Sequence, residues 1–137
     1  MTVFEKIINR EIPAYIVYED DIAIAFLDIS QATKGHTLVV PKEVYENIFE
    51  IPTDILKHLI EVTKKVSEAI NKAFNPLGIN ILNNNGAAAG QTVFHYHIHI
   101  LPRYSKNDID LKFTNFMDKM SKDDYEKRAK AIRKALL

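Results

Sequence analysis

The 137-residue chain contains no cysteine and no tryptophan. Without thiols it has no disulfide framework, no thiolate metal site and no cysteine nucleophile, so any covalent chemistry falls to another residue type. An excess of charge is missing too, because 18 basic and 18 acidic side chains cancel. No global field then draws the chain to a nucleic-acid backbone or an anionic membrane; neither is expected as a partner, and any phosphate has to be gripped locally. No segment approaches the ~18 uninterrupted apolar residues of a membrane span, and Met1 to Lys6 lacks the apolar stretch of a signal peptide, so the expected location is cytoplasmic. Only 4 glycines and 5 prolines accompany 47% apolar residues, which excludes fibrous or low-complexity architecture. This length suits one hydrophobic core, and a single domain over 1–137 is expected, with a core of about 3–103 and a C-terminal extension over 104–137 that carries a helix.

Within that frame, apolar periodicity predicts the elements. Val3, Phe4, Ile7 and Ile8 recur at helical spacing ahead of Pro13, giving a short N-terminal helix. Tyr15 to Tyr18 and Ile22 to Leu27 are β-branched and aromatic runs separated by Glu19-Asp20-Asp21, which reads as a hairpin. His36 to Val40 forms a third strand closed by Pro41, and Asp28 to Gly35 is a loop. From Thr53, a plausible N-cap, to Phe74, the residues Ile55, Leu59, Val62, Val66, Ile70 and Ala73 mark one long amphipathic helix. Ile79 to Leu82 and Val93 to Leu101 supply the fourth and fifth strands, on either side of the small-residue loop Gly86 to Gly90. Ser121 and Asp124 have capping-box spacing before a last helix striped by Tyr125, Ala129, Ile132 and Leu136. Strands in hairpin-like order with helices that do not alternate regularly between them predict an α+β fold built on a five-stranded antiparallel sheet.

The densest chemical signal is His95-Tyr96-His97-Ile98-His99. On a strand, alternation would put His95, His97 and His99 on one face. With 5 histidines in the chain, chance produces roughly 0.006 such triples. The residues by themselves leave three readings open: covalent or acid–base phosphoryl chemistry, a metal site using the three imidazoles, or a structural cluster. Gly86 to Gly90, leading into Gln91-Thr92, adds a loop whose backbone amides could approach an anion closely. His58, on the long helix, has no partner in this pattern and reads as surface or core.

The stretch Gly90-Gln91-Thr92-Val93-Phe94-His95-Tyr96-His97-Ile98-His99-Ile100-Leu101-Pro102-Arg103 resembles the signature of the histidine triad (HIT) family. Ala25 to Ser30 with Gly35 to Lys42 resembles the family's nucleotide-facing segment, and Phe4 to Ile8 its N-terminal helix. The resemblance implies a HIT-like fold and a nucleotide hydrolase or nucleotidyl-transferase of the bacterial Hit or Hint-like branch. Such an enzyme acts at the α-phosphate of purine nucleoside phosphoramidates or adenylated compounds. His97 would be the nucleophile, its Nδ1–H held by the His95 backbone carbonyl, with His99 and His36 completing the catalytic cluster. Asn84, Gln91 and Thr92 would donate to phosphate or leaving-group oxygens, Asp28 would accept from ribose hydroxyls, and Phe4, Ile7, Leu27 and Ile29 would hold the purine.

The same resemblance implies a homodimer and neither a metal nor a cofactor. Many bacterial members carry zinc-binding cysteines where this chain has Thr2 and Glu5, and the Trp-Pro-Pro-Gly ending of the Hint branch is missing. A dinucleoside polyphosphate hydrolase and a nucleotide-binding regulatory protein with little turnover are the alternatives.

Overall fold

A computed structural model describes residues 1–136. Helix α1 (Val3–Ile8) leads into β1 (Ile16–Glu19), β2 (Ala23–Leu27) and β3 (Thr37–Pro41); the long α2 (Thr53–Phe74), β4 (Gly78–Leu82), β5 (Ile98–Arg103) and α3 (Lys122–Ala135) follow. The strands form one antiparallel sheet in the order β1-β2-β3-β5-β4, the α+β architecture that the sequence predicts.

Alternation along the strands divides the core into two layers. Ala23, Ala25, Val39, Ile98 and Ile100 face α2 and meet its buried stripe of Leu59, Val62, Val66 and Ile70. Ile24, Phe26, Leu38 and Val40 face the other way and are covered by Phe4 and Ile7 of α1. The side of the sheet that α1 covers is the side on which the histidines collect.

Local chemistry sets the boundaries. Thr2 caps α1 through a capping box, its hydroxyl accepting from the Glu5 amide while the Glu5 carboxylate accepts from the Thr2 amide. Ser121 and Asp124 do the same for α3, as their spacing predicts. Asp20 closes the β1–β2 hairpin by accepting from the amides of Ile22 and Ala23. Its other oxygen binds Tyr18 and His58 at 2.7 and 2.6 Å, so His58 ties α2 to this turn, away from the triad.

Three expected boundaries differ. Thr53 is the first helical residue of α2, and Pro52 occupies the cap position with no side-chain hydrogen bond. Pro41 does not stop β3; it pairs with Ala23 of β2, where its missing N–H costs nothing. Most consequentially, the fifth strand begins at Ile98, so His95 and His97 precede it. Continuing the β3–β5 ladder backwards would set residue 96 against Pro41, which has no amide to offer. The Tyr96 amide instead donates to the Tyr45 carbonyl at 2.6 Å, and the chain leaves the ladder.

Candidate active site

His97 and His99 line a cleft of about 450 Å³ between α1, the β2–β3 loop and the segment before β5, and His95 and His36 pack beside them. Phe4 packs edge-on against His95 and His97, with ring centroids 5.6 and 5.0 Å away, and His97, His99 and His36 follow one another at 5.0 and 5.2 Å. The cluster is therefore brought together by a loop, a strand and a helix, although strand alternation does not align all three triad residues.

Fixed neighbours assign the protons. His95 is fully buried; its Nε2–H donates to the Pro41 carbonyl at 2.8 Å, which leaves Nδ1 to accept from the Thr2 hydroxyl at 3.2 Å. His97 Nδ1–H donates to the His95 carbonyl at 2.7 Å, so its Nε2 carries a bare lone pair. His36 Nδ1 accepts from the Ala32 amide at 3.2 Å, which places the proton on Nε2 and directs it at His99 Nδ1, 2.9 Å away. The Ser30 backbone also approaches the His36 ring and favours its charged form, but the hydrogen bond at Nδ1 is the Ala32 amide's. His99 must then hold its own proton on Nε2. One imidazole is thus left with a free electron pair, and the next with a free N–H.

All four rings are held neutral. Burial pulls His95 and His97 below the ordinary histidine value, against the hydrogen bonds each makes to a backbone carbonyl. Burial lowers His36 as well, opposed by the Asp28 carboxylate. His99 is lowered to about 4, first by burial and then by its neighbours His97 and His36.

Asp28 lines the cleft, with one oxygen accepting from the Ser30 amide and the other 3.5 Å from His36 Nε2. Its loop is pinned by Gln31, a residue that the sequence reading missed. The Gln31 side chain donates to the carbonyls of Asp28 and His36 and accepts from the Gly35 amide. Gly35 has φ +89°, and a Cβ there would stand 2.9 Å from the Phe74 ring, so this turn into His36 requires glycine.

Phe4, Ile7, Leu27, Ile29 and Thr92 also line the cleft; Phe4 and Ile7 are buried, and Ile29 sits on the rim at 83% exposure. Gln91 is placed differently. It is buried, both of its side-chain N–H groups are spent on the Glu46 and Val93 carbonyls, and its oxygen accepts from the Gly86 amide. It shapes the Gly86 to Gly90 loop and has no donor left for a phosphate. Asn84 lies beside that loop, its amide 3.5 Å from the Gly90 carbonyl, and is not among the residues lining the cleft.

The donor atoms of Asp28, His36 and His99 fall within 4.8 Å of one another, close enough to bracket an ion. Metal binding at His36 Nε2, however, would force that ring's proton onto Nδ1, against the Ala32 N–H. His95 has both nitrogens engaged and His97 one, so the triad itself is built as a hydrogen-bonded chain rather than a ligand set. Thr2 and Glu5 are likewise occupied by the capping box.

A histidine whose Nδ1–H is held by a backbone carbonyl, with a bare Nε2 at a largely apolar cleft, is an arrangement chemically able to attack an electrophile. The HIT domain matches residues 9–106, and the chain belongs to the HIT family. It is 54% identical over 106 residues to Protein hit of Bacillus subtilis, covering 77% of this chain and 73% of that one. It is 42% identical over 105 residues to the adenylylsulfatase HINT3 of Arabidopsis thaliana, covering 77% of this chain and 53% of that one. Crystal structures of HIT family proteins from Bacillus anthracis and Bacillus subtilis superpose with TM-scores of 0.91 and 0.92 at 44% and 45% identity. Each covers 97% of this chain and 95% of its own.

Proposed function

We propose that the chain is a cytoplasmic nucleotidyl hydrolase that cleaves purine nucleoside 5′-phosphoramidates or related adenylated compounds at the α-phosphate through a covalent nucleotidyl-His97 intermediate. The observation that carries this reading is the 2.7 Å bond from His97 Nδ1–H to the His95 carbonyl, which keeps the Nε2 lone pair free at the cleft. HIT family membership and the 42% identity to an adenylylsulfatase support the substrate class.

In the first step His97 Nε2 attacks the α-phosphorus as the bond to the leaving nitrogen or oxygen breaks. The nucleotidylated ring keeps its Nδ1–H and becomes cationic, a charge that the His95 carbonyl stabilises. His99 Nε2–H donates to a non-bridging phosphate oxygen as negative charge builds there. A neutral His99 is a hydrogen-bond donor rather than an acid, so the leaving group takes its proton from water. In the second step water attacks phosphorus, the P–Nε2 bond breaks, the electron pair returns to His97 and the water's proton goes to solvent. All of Thr92, Asp28, Phe4, Ile7, Leu27 and Ile29 line the cleft; in this reading Thr92 would donate to the phosphate, Asp28 would accept from the ribose hydroxyls, and the four apolar side chains would hold the base.

The test is release of adenosine monophosphate from an adenosine 5′-phosphoramidate in the presence of chelator. Activity in the wild type that His97→Ala abolishes supports the reading, and turnover that survives this substitution overturns it. Dinucleoside polyphosphates run in parallel separate the two substrate classes.

A further inference from the structure

The ring of His97 is held by the His95 carbonyl at 2.7 Å, but its main chain lies outside both ladders of β5. The β3–β5 ladder ends at Val39 and Ile98, and the β4–β5 ladder at Leu82 and His99. The His97 carbonyl finds its partner in a side chain instead: Asn83 Nδ2 donates to it at 2.9 Å. Asn83 directly follows the last paired residue of β4, so its amide takes over where the backbone pairing stops.

That amide has a single workable orientation. The N–H of Ile48, on the segment between β3 and α2, can only donate, so Asn85 turns its oxygen to it, at 2.7 Å, and its nitrogen to Asn83. Asn83 Oδ1 accepts from Asn85 at 2.6 Å, which leaves Asn83 Nδ2 for the His97 carbonyl. Ile48, Asn85, Asn83 and His97 form one line of donation from a backbone N–H to a backbone carbonyl.

The same segment holds the chain ahead of His97. The Tyr45 carbonyl accepts from the Tyr96 amide at 2.6 Å, and the Glu46 carbonyl from the Gln91 side chain at 2.7 Å. Backbone groups of Tyr45, Glu46 and Ile48 thus set the course of the chain from Gln91 to His97. Tyr45 fixes the residue before the nucleophile, and Ile48 fixes the nucleophile's own carbonyl through the two asparagines. With its ring and main chain both anchored, His97 Nε2 has one line of approach to phosphorus, and a misplacement of about 1 Å in such a group costs about 100-fold in rate. Neither asparagine is among the residues lining the cleft, so neither acts by touching substrate.

We propose that Asn83 is a positioning residue for the nucleophile and that Asn85 sets the orientation in which Asn83 works. This rests on the catalytic role proposed for His97. Aspartate at position 83 would keep the shape of the side chain but has no donor for the His97 carbonyl, so it separates the hydrogen bond from mere space-filling.

The test compares the wild type with Asn83→Ala, Asn83→Asp, Asn85→Ala and the double alanine variant on adenosine 5′-phosphoramidate, with circular dichroism to confirm folding. Asn83→Ala is expected to lower kcat about 10- to 100-fold and to leave KM within about threefold. Asn83→Asp should lose at least as much. Asn85→Ala should lower kcat by about 3- to 10-fold alone and by no more than about twofold once Asn83 is alanine, because the two act in series. Wild-type kcat in Asn83→Asp, or alanine effects that simply multiply, overturns the proposal. Asn85→Ala leaves Asn83 and His97 unaltered, and so carries the test where an Asn83 variant does not fold: its kcat should fall, and the carbonyl ¹³C resonance of His97 should move in the ligand-free protein. An active wild type whose Asn85→Ala variant retains both overturns the positioning role alone. A wild type with no turnover overturns the catalytic reading, and the positioning role with it.

Discussion

His36 Nε2 lies 2.9 Å from His99 Nδ1, and it is the Ala32 amide on the far side of the His36 ring that makes Nε2 the donor. A backbone N–H in the β2–β3 loop thereby sets the protonation of a ring on β5, and leaves the remaining N–H of His99 for the cleft that this residue lines.

Removing the first ring should expose that dependence. In His36→Ala, His99 loses the donor that keeps Nδ1 unprotonated, and its proton redistributes between the two nitrogens. We expect kcat to fall about 10- to 100-fold, the usual cost of losing a group that orients a reacting residue, with a smaller change in KM. Nitrogen chemical shifts of the His99 ring should report mixed tautomers in the variant and one in the wild type. An unaltered His99 spectrum would contradict the relay.

The lowered histidine pKa values predict how the protein responds to acid. His99 protonates at about 4 in the folded protein and near 6.5 when unfolded. Between those values the unfolded chain binds a proton that the folded chain does not, so the contribution to stability is full above about pH 6.5 and is lost as the pH falls towards 4. Denaturant midpoints measured from pH 7.5 down to 4.5 should decline, and His99→Gln should flatten the decline. Because His97 is also lowered, the acid limb of kcat/KM should lie below the ordinary histidine value. A limb at or above 6.5 would contradict a buried neutral nucleophile.

Thr2 joins the stability of α1 to the triad. Its hydroxyl accepts from the Glu5 amide and binds His95 Nδ1, so Thr2→Val removes both a cap and the partner of a fully buried ring. A cap alone is worth about 1 kcal/mol, and the unpaired His95 nitrogen adds about 1–3 kcal/mol. Equilibrium urea unfolding should show a loss above that of the cap. A loss below about 0.5 kcal/mol would mean that the contact with His95 carries no weight.

What the sequence made legible follows from how local the determining physics is. The α2 stripe, the Asp20 turn and the Ser121 box are decided by residues within four positions of one another, and each stands where it was read. The spacing of His95, His97 and His99 marked the site, but the strand argument for it did not hold. His95 and His97 leave the ladder because Pro41, 54 positions before His95, has no amide, and their rings bond to carbonyls instead. Gln91 read as a phosphate donor because a free amide near a glycine loop has that chemistry; its actual partner Glu46 lies 45 residues away. Gln31 carried no signal, being one polar residue in a polar loop. The apolar stripe of α3 was evident, whereas its lack of cover within its own chain appears only in three dimensions.

The central claim is that His97 Nε2 is the nucleophile, and rapid acid-free quenching of the enzyme with an adenosine phosphoramidate labelled at the α-phosphate tests it most directly. The account predicts protein-bound label that appears and decays within a turnover, maps to the peptide containing His97, and is missing from His97→Ala. Turnover of the wild type with no bound label at any time, or label on His99 instead, would contradict it.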